Sequence, residues 1–170
     1  TEIQICTILK KSMLELNADH TLYMSCASGK GGYDQIICDP TNKQLQYGDI
    51  LYIDTGSTYD GYFCDFNRNF AFNNISENSK IAYDLLWKAT EAGMKIAKPG
   101  TSCSEISKAM ISILNKKGLT NNSVGRMGHG LGLQLTEPPS IMPSDDTILQ
   151  PGMVITIEPC FELTPGILMV

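Results

Sequence analysis

The chain has 170 residues, 42% of them hydrophobic, enough for one domain with a substantial buried core and too few for several. Its formal net charge of −5 and pI near 4.9 argue against a nucleic-acid groove or an anionic membrane surface as partner, leaving peptides and small molecules. Six cysteines, Cys6, Cys26, Cys38, Cys64, Cys103 and Cys160, are scattered without a CxxC pair, so reduced thiols in a cytoplasmic protein are expected rather than a zinc knuckle or a disulfide framework.

In chain order, "EIQICTILKKSMLEL" (2–16) has helical spacing at Ile5, Leu9 and Met13 with no start signal ahead of it, as if an N-terminal part were missing. "TLYMSCAS" (21–28) and "DILYIDTG" (49–56) read as strands, the second introduced by Tyr47-Gly48-Asp49, and "YFCDFNRNFAF" follows the Asp60-Gly61 turn as a third. A helix over about 76–98 carries Ile81, Leu85, Ala89, Ala92 and Ile96 on one stripe, with Trp87 in the core, and stops at Pro99-Gly100. A second has a capping box at Ser102 and Glu105, apolar positions at Ile106, Ala109, Met110, Ile113 and Leu114, and Gly118 as its left-handed cap. "GRMGHGLGLQL" and "GMVITIEPCFEL" return to strands and loops. No apolar run approaches the roughly 20 residues that span a bilayer. With no repeat or linker, residues 1–170 read as a single α+β domain, its helices packed on one face of a mostly antiparallel sheet.

Two aspartates interrupt otherwise apolar strands. A two-residue turn at Asp60-Gly61 pairs Tyr59 with Tyr62 and Asp54 with Asn67, so Asp65 lies on the same face as Asp54, a diagonal neighbour roughly 7–8 Å away. Their repulsion requires something positive, and a divalent cation would supply it. The plainer alternative is that Asp54 ends a strand while Asp65 pairs with Arg68. His129, flanked by Gly128 and Gly130, and Glu158, which alternation places beside Val154 and Thr156 just before Pro159, extend the set. Three carboxylates and one imidazole suit manganese, iron, cobalt or zinc in a hydrolytic site.

This order, Asp54, Asp65 eleven residues later, His129 in "HGLG", and Glu158 in "ITIEP" 29 residues after the histidine, resembles the dinuclear-metal peptidases of the methionine aminopeptidase, Xaa-Pro aminopeptidase, prolidase and creatinase group. The resemblance covers nearly all of the chain. It implies the pita-bread α+β fold, two divalent ions (manganese, cobalt, iron or zinc) sharing an activated water, hydrolysis of an amide or amidine C–N bond, and a homodimer. It implies Asp54, Asp65, His129 and Glu158 as metal ligands, with His129 and Glu137 as catalytic residues. The family's fifth ligand, a second bridging glutamate, has no counterpart, and the expectation is a C-terminally truncated catalytic domain. Histidines of the proline-specific members are replaced, one by Thr136 and one within "YDQIICDP". "GRMGHGLGLQLTEPPS" is similar to members acting on osmolytes, including ectoine hydrolases. The rival from another class is an inactive, fold-only binding module. "SGKGG" (28–32) reads as a flexible loop at the pocket rim. Arg68 and Arg126 are each open between orienting an aspartate and facing solvent, and alternation turns Cys64 away from Asp65.

Overall fold

Capping signals and one tight turn set the principal boundaries. In the computed structural model, which describes residues 1–115, 125–164 and 167–170, helix α1 covers Glu2–Glu15. It opens on a capping box in which the Thr1 hydroxyl accepts from the Gln4 backbone and the Gln4 side chain reaches back. The helix therefore does have a start signal, contrary to the sequence expectation, with glutamine in the place where glutamate is commoner.

Strands β1 (His20–Lys30), β2 (Asp49–Tyr59) and β3 (Tyr62–Ala71) form an antiparallel sheet in that order. Asp60 and Gly61 both have positive φ, 50° and 77°, the combination whose twist suits a two-residue hairpin. The expected register follows: Tyr59 faces Tyr62, Asp54 faces Asn67, and Gly56 faces Asp65.

Helix α2 (Glu77–Ile96) is capped by Ser76 and α3 (Cys103–Leu114) by the Ser102–Glu105 capping box. The face that α2 buries is Ser79, Ala82, Leu86, Ala89 and Gly93, which shares only Ala89 with the expected stripe. Ile81 and Trp87 are 41% and 52% exposed, so Trp87 is a surface residue and not core. Close approach of α3 is the reason: a Cβ on Gly93 would stand 2.9 Å from Met110 Sδ. Apart from Leu86, the residues that α2 buries are small, and Ile81 and Trp87 turn outward. The expected Gly118 cap lies outside the described residues.

Strands β4 (His129–Gly130) and β5 (Glu137–Ser140) pair antiparallel, as do β6 (Phe161–Thr164) and β7 (Ile167–Met169). Residues 153–158, expected as a regular strand, meet β4 in a single bridge between Gly130 and Ile155. They are nonetheless laced to 127–131: Leu131 N donates to Val154 O, Thr156 N to His129 O, and Glu158 N to Met127 O.

Alternation along β2 divides the core. Ile50 and Tyr52 join Leu86, Ile106, Met110 and Met127 under α2 and α3, whereas Leu51 and Ile53 join Cys6, Met24 and Cys26 under α1. Helices thus cover both faces of the sheet, not one, because β2 is apolar on both of its sides. The "SGKGG" stretch is not a flexible rim loop: Ser28, Gly29 and Lys30 end β1, paired with Leu51, Ile50 and Asp49. Gly31 accepts from Ser79 Oγ in the first turn of α2 and donates its N–H to Gly48 O. Among the described residues no helix is long and apolar enough to cross a membrane.

Candidate metal centre

The hairpin delivers Asp54 and Asp65 to one face of the sheet, and a single phenol measures how near they come: Tyr23 Oη hydrogen-bonds both Asp54 Oδ1, at 2.7 Å, and Asp65 Oδ1. Segment 127–131 brings His129 against the same place, with Nε2 3.2 Å from Asp65 Oδ2 and 3.4 Å from Glu158 Oε1. The lacing described above aims Glu158. Thr156, two residues earlier on the same side, accepts the His129 N–H through Oγ1 at 3.0 Å. Ligand atoms of Asp65, His129 and Glu158 all lie within 4.8 Å of one another.

Burial and crowding perturb every one of these groups. Burial pushes the Asp54 carboxyl up to about 6 and that of Glu158 up to about 7, with neighbouring carboxylates adding to both shifts. Asp65 goes the other way: burial alone would raise it, but hydrogen bonds from His129 and Tyr23 hold it below its ordinary value. His129 is raised, first by its bond to Asp65.

The donor set fits a divalent cation on the following ground. His129 Nδ1 lies 2.9 Å from Gly130 O, and a carbonyl only accepts, so Nδ1 carries the hydrogen. In its neutral form the ring turns the Nε2 lone pair toward two carboxylate oxygens, Asp65 Oδ2 and Glu158 Oε1. That arrangement is repulsive unless a proton or a cation stands among them. Among the described residues no lysine or arginine forms an ion pair with Asp54, Asp65 or Glu158; Arg126 acts on Glu158 and His129 only from a longer range.

The alternative pairing of Asp65 with Arg68 does not occur. Arg68 donates to Asn67 O and its guanidinium stands 5.6 Å over the Phe66 ring. Cys64 Sγ contacts Ser57 Oγ at 3.1 Å, turned from Asp65 as alternation required. Glu137 is outside the cluster of ligand groups: its Oε1 accepts the Gln134 N–H at 2.7 Å, closing the loop that contains Thr136.

Two residues escaped the sequence reading. Tyr23 bridges the aspartates, and Tyr52 lies near enough to Asp54 to favour its charged form. Tyr52 could have been found by parity, since it lies two residues before Asp54 on the same face. Tyr23 could not, because residues 31–48 separate β1 from β2 and no tight turn fixes the register between them.

A profile of metallopeptidase family M24 matches residues 1–169. The Xaa-Pro dipeptidase of Pyrococcus furiosus is 33% identical over 119 residues, 70% of this chain and 34% of that protein. Of solved structures, a prolidase from Thermococcus sibiricus is similar with a TM-score of 0.89 at 29% identity, covering 95% of this chain and 44% of that one. Dipeptidase PepE from Mycobacterium ulcerans is similar at 0.91 and 28%, covering 98% and 45%. The chain spans well under half the length of the curated relatives it matches.

Proposed function

The chain belongs to metallopeptidase family M24, with that family's pita-bread fold, and from that premise we propose that the protein is a metal-dependent hydrolase cleaving a C–N bond in Xaa-Pro dipeptides. The observation that carries this reading is the meeting of Asp65, His129 and Glu158, from three separate segments, with Asp54 beside them. Two divalent cations held by these four side chains would supply Lewis-acid polarisation of the scissile carbonyl and a water acidic enough to attack at neutral pH. Manganese, cobalt, iron and zinc suit the donors.

The protein's own part is positional and protolytic. Asp54, Asp65 and Glu158 provide the negative field, and His129 offers Nε2 with its ring orientation fixed through Gly130. Glu137 keeps one carboxylate oxygen on the Gln134 N–H, and the other is assigned to take the proton of the attacking water and return it to the leaving nitrogen. We take the protein to work as a cytoplasmic homodimer on a peptide or small-molecule substrate, which sedimentation would check.

A second reading rests on one observation: Thr136 stands where the resemblance leads one to expect a histidine, and this favours a small cyclic amidine such as ectoine over an Xaa-Pro peptide. Both are tested together. Chelator-treated protein is assayed against Xaa-Pro dipeptides and ectoine, with and without added Mn²⁺, Co²⁺ or Zn²⁺. Peptide turnover that returns with metal and disappears in His129→Ala supports the first reading. Turnover of ectoine alone moves the assignment to the second, and metal binding without turnover of either would identify a binding module.

A further inference from the structure

One row of residues runs straight across the sheet. Tyr23 on β1 pairs with Gly56 on β2, and Gly56 pairs with Asp65 on β3. Tyr23 reaches Asp65 by laying its ring over the middle strand. Only glycine permits this: a Cβ at Gly56 would stand 2.6 Å from Tyr23 Cε1 and 2.5 Å from Cys64 O. Tyr23 is the last residue of the regular β1–β2 register before it shifts toward Thr21, and Thr55 Oγ1 donates to its carbonyl at 3.0 Å. The glycine and the phenol therefore act as one device, and its end point is the Asp54–Asp65 pair.

We propose that Tyr23 is a positioning residue of the metal centre, whose hydroxyl, carried over Gly56, sets the orientation of the Asp54 and Asp65 carboxylates and thereby how tightly they hold a divalent cation. This rests on the metal-centre reading above. A phenol has one hydrogen, so it donates to one carboxylate at a time while standing within reach of both. It aligns the pair without neutralising it. The charge of a cation remains necessary, and the phenol fixes which oxygens are turned toward it. Partners of this kind, which touch ligands but not the ion, commonly govern metal affinity 10- to 100-fold.

The test is Mn²⁺ titration of the full 170-residue chain by calorimetry, with Mn²⁺ EPR on the same samples. Tyr23→Phe keeps the ring and loses the hydroxyl. It should weaken Mn²⁺ binding about 10- to 100-fold and alter the EPR line shape, while the metal-free protein melts within a few degrees of wild type. Gly56→Ala should weaken binding by displacing the ring, and adding Tyr23→Phe to it should cost little more, since the hydroxyl is already out of place. Tyr62→Phe, on an exposed tyrosine, should bind as wild type. Wild-type affinity and spectrum in Tyr23→Phe would overturn the proposal even if Gly56→Ala failed to fold. Wild-type chain that binds no Mn²⁺ at all would overturn the metal-centre reading and this proposal with it, a result distinct from the first.

Discussion

Gly128→Ala tests how closely the two segments that carry His129 and Glu158 are packed. A Cβ built on Gly128 falls 2.2 Å from Thr156 O and 3.0 Å from both Thr156 C and Ile141 Cγ1, at φ +148°. The obstructing carbonyl belongs to backbone that is pinned on either side: Thr156 N donates to His129 O at 2.8 Å, and Glu158 N donates to Met127 O at 3.0 Å. No rotamer change relieves the clash, so the segments must part by roughly 1 Å. Overpacking of this kind costs about 1–3 kcal/mol, and the unfavourable backbone conformation adds about 1–2 kcal/mol. A total near 3 kcal/mol corresponds to a fall in Tm of roughly 6–12 °C for a chain of this length. Gly100→Ala is the control. It also has positive φ, +95°, but nothing lies within 4 Å of the added carbon, so only the conformational cost applies. Thermal and urea unfolding followed by circular dichroism measure both variants. Equal losses would refute the packing argument, because backbone strain would then explain the whole effect.

Glu2 is 2% exposed and accepts from Ser28 Oγ at 2.6 Å, Thr41 N at 3.0 Å and Thr41 Oγ1 at 2.7 Å. Burial alone would raise its pKa, but these bonds and Lys43 outweigh it and hold the group below its ordinary 4.5. A depressed carboxylate stabilises the fold above its unfolded pKa and loses that contribution as pH falls through the folded one. Glu2→Gln should therefore lose about 1.5–3 kcal/mol at pH 7 in urea unfolding and show a flatter acid limb below pH 4.5 than wild type; superimposable pH profiles would contradict this. Trp87→Ala should cost no more than about 0.5 kcal/mol, against about 2–5 kcal/mol for Ile106→Ala, and a comparable loss at the two positions would return Trp87 to the core. Mn²⁺ at 100 times its Kd should stabilise the chain by about 2.7 kcal/mol, reversibly on chelation, and His129→Ala should abolish the shift in a thermal scan.

What could be read in advance was whatever short-range rules govern. Asp60-Gly61 fixes the hairpin register by itself, so the common face of Asp54 and Asp65 follows from counting along two strands. The Ser102–Glu105 capping box is likewise complete within four residues. Positions decided by a distant partner were not legible. Hydrophobicity does not mark the buried face of α2, because α3 approaches so closely at Gly93 that a side chain there would meet Met110, and the face is mostly small residues with Leu86 among them. Residues 153–158 alternate like a strand, yet their pairing with β4 is confined to one assigned bridge. Tyr23 belongs to the same class, since its reach depends on a missing side chain in the neighbouring strand.

The proposed ligand set is also ordered in time by where its members lie along the chain. Asp54 and Asp65 share one hairpin, whereas His129 and Glu158 follow 64 and 93 residues after Asp65 (129 − 65 and 158 − 65). Hairpins close within about 1–10 μs, but contacts over such separations wait for most of the fold. While the chain folds, the acid pair exists before the imidazole that completes it. A cation gripped by all of them would be held by contacts completed late in folding, and such contacts act on the unfolding rate. In a chevron plot, Mn²⁺ should depress the unfolding limb and leave the folding limb where it was, making the ion a latch on the finished protein instead of a nucleus for building it.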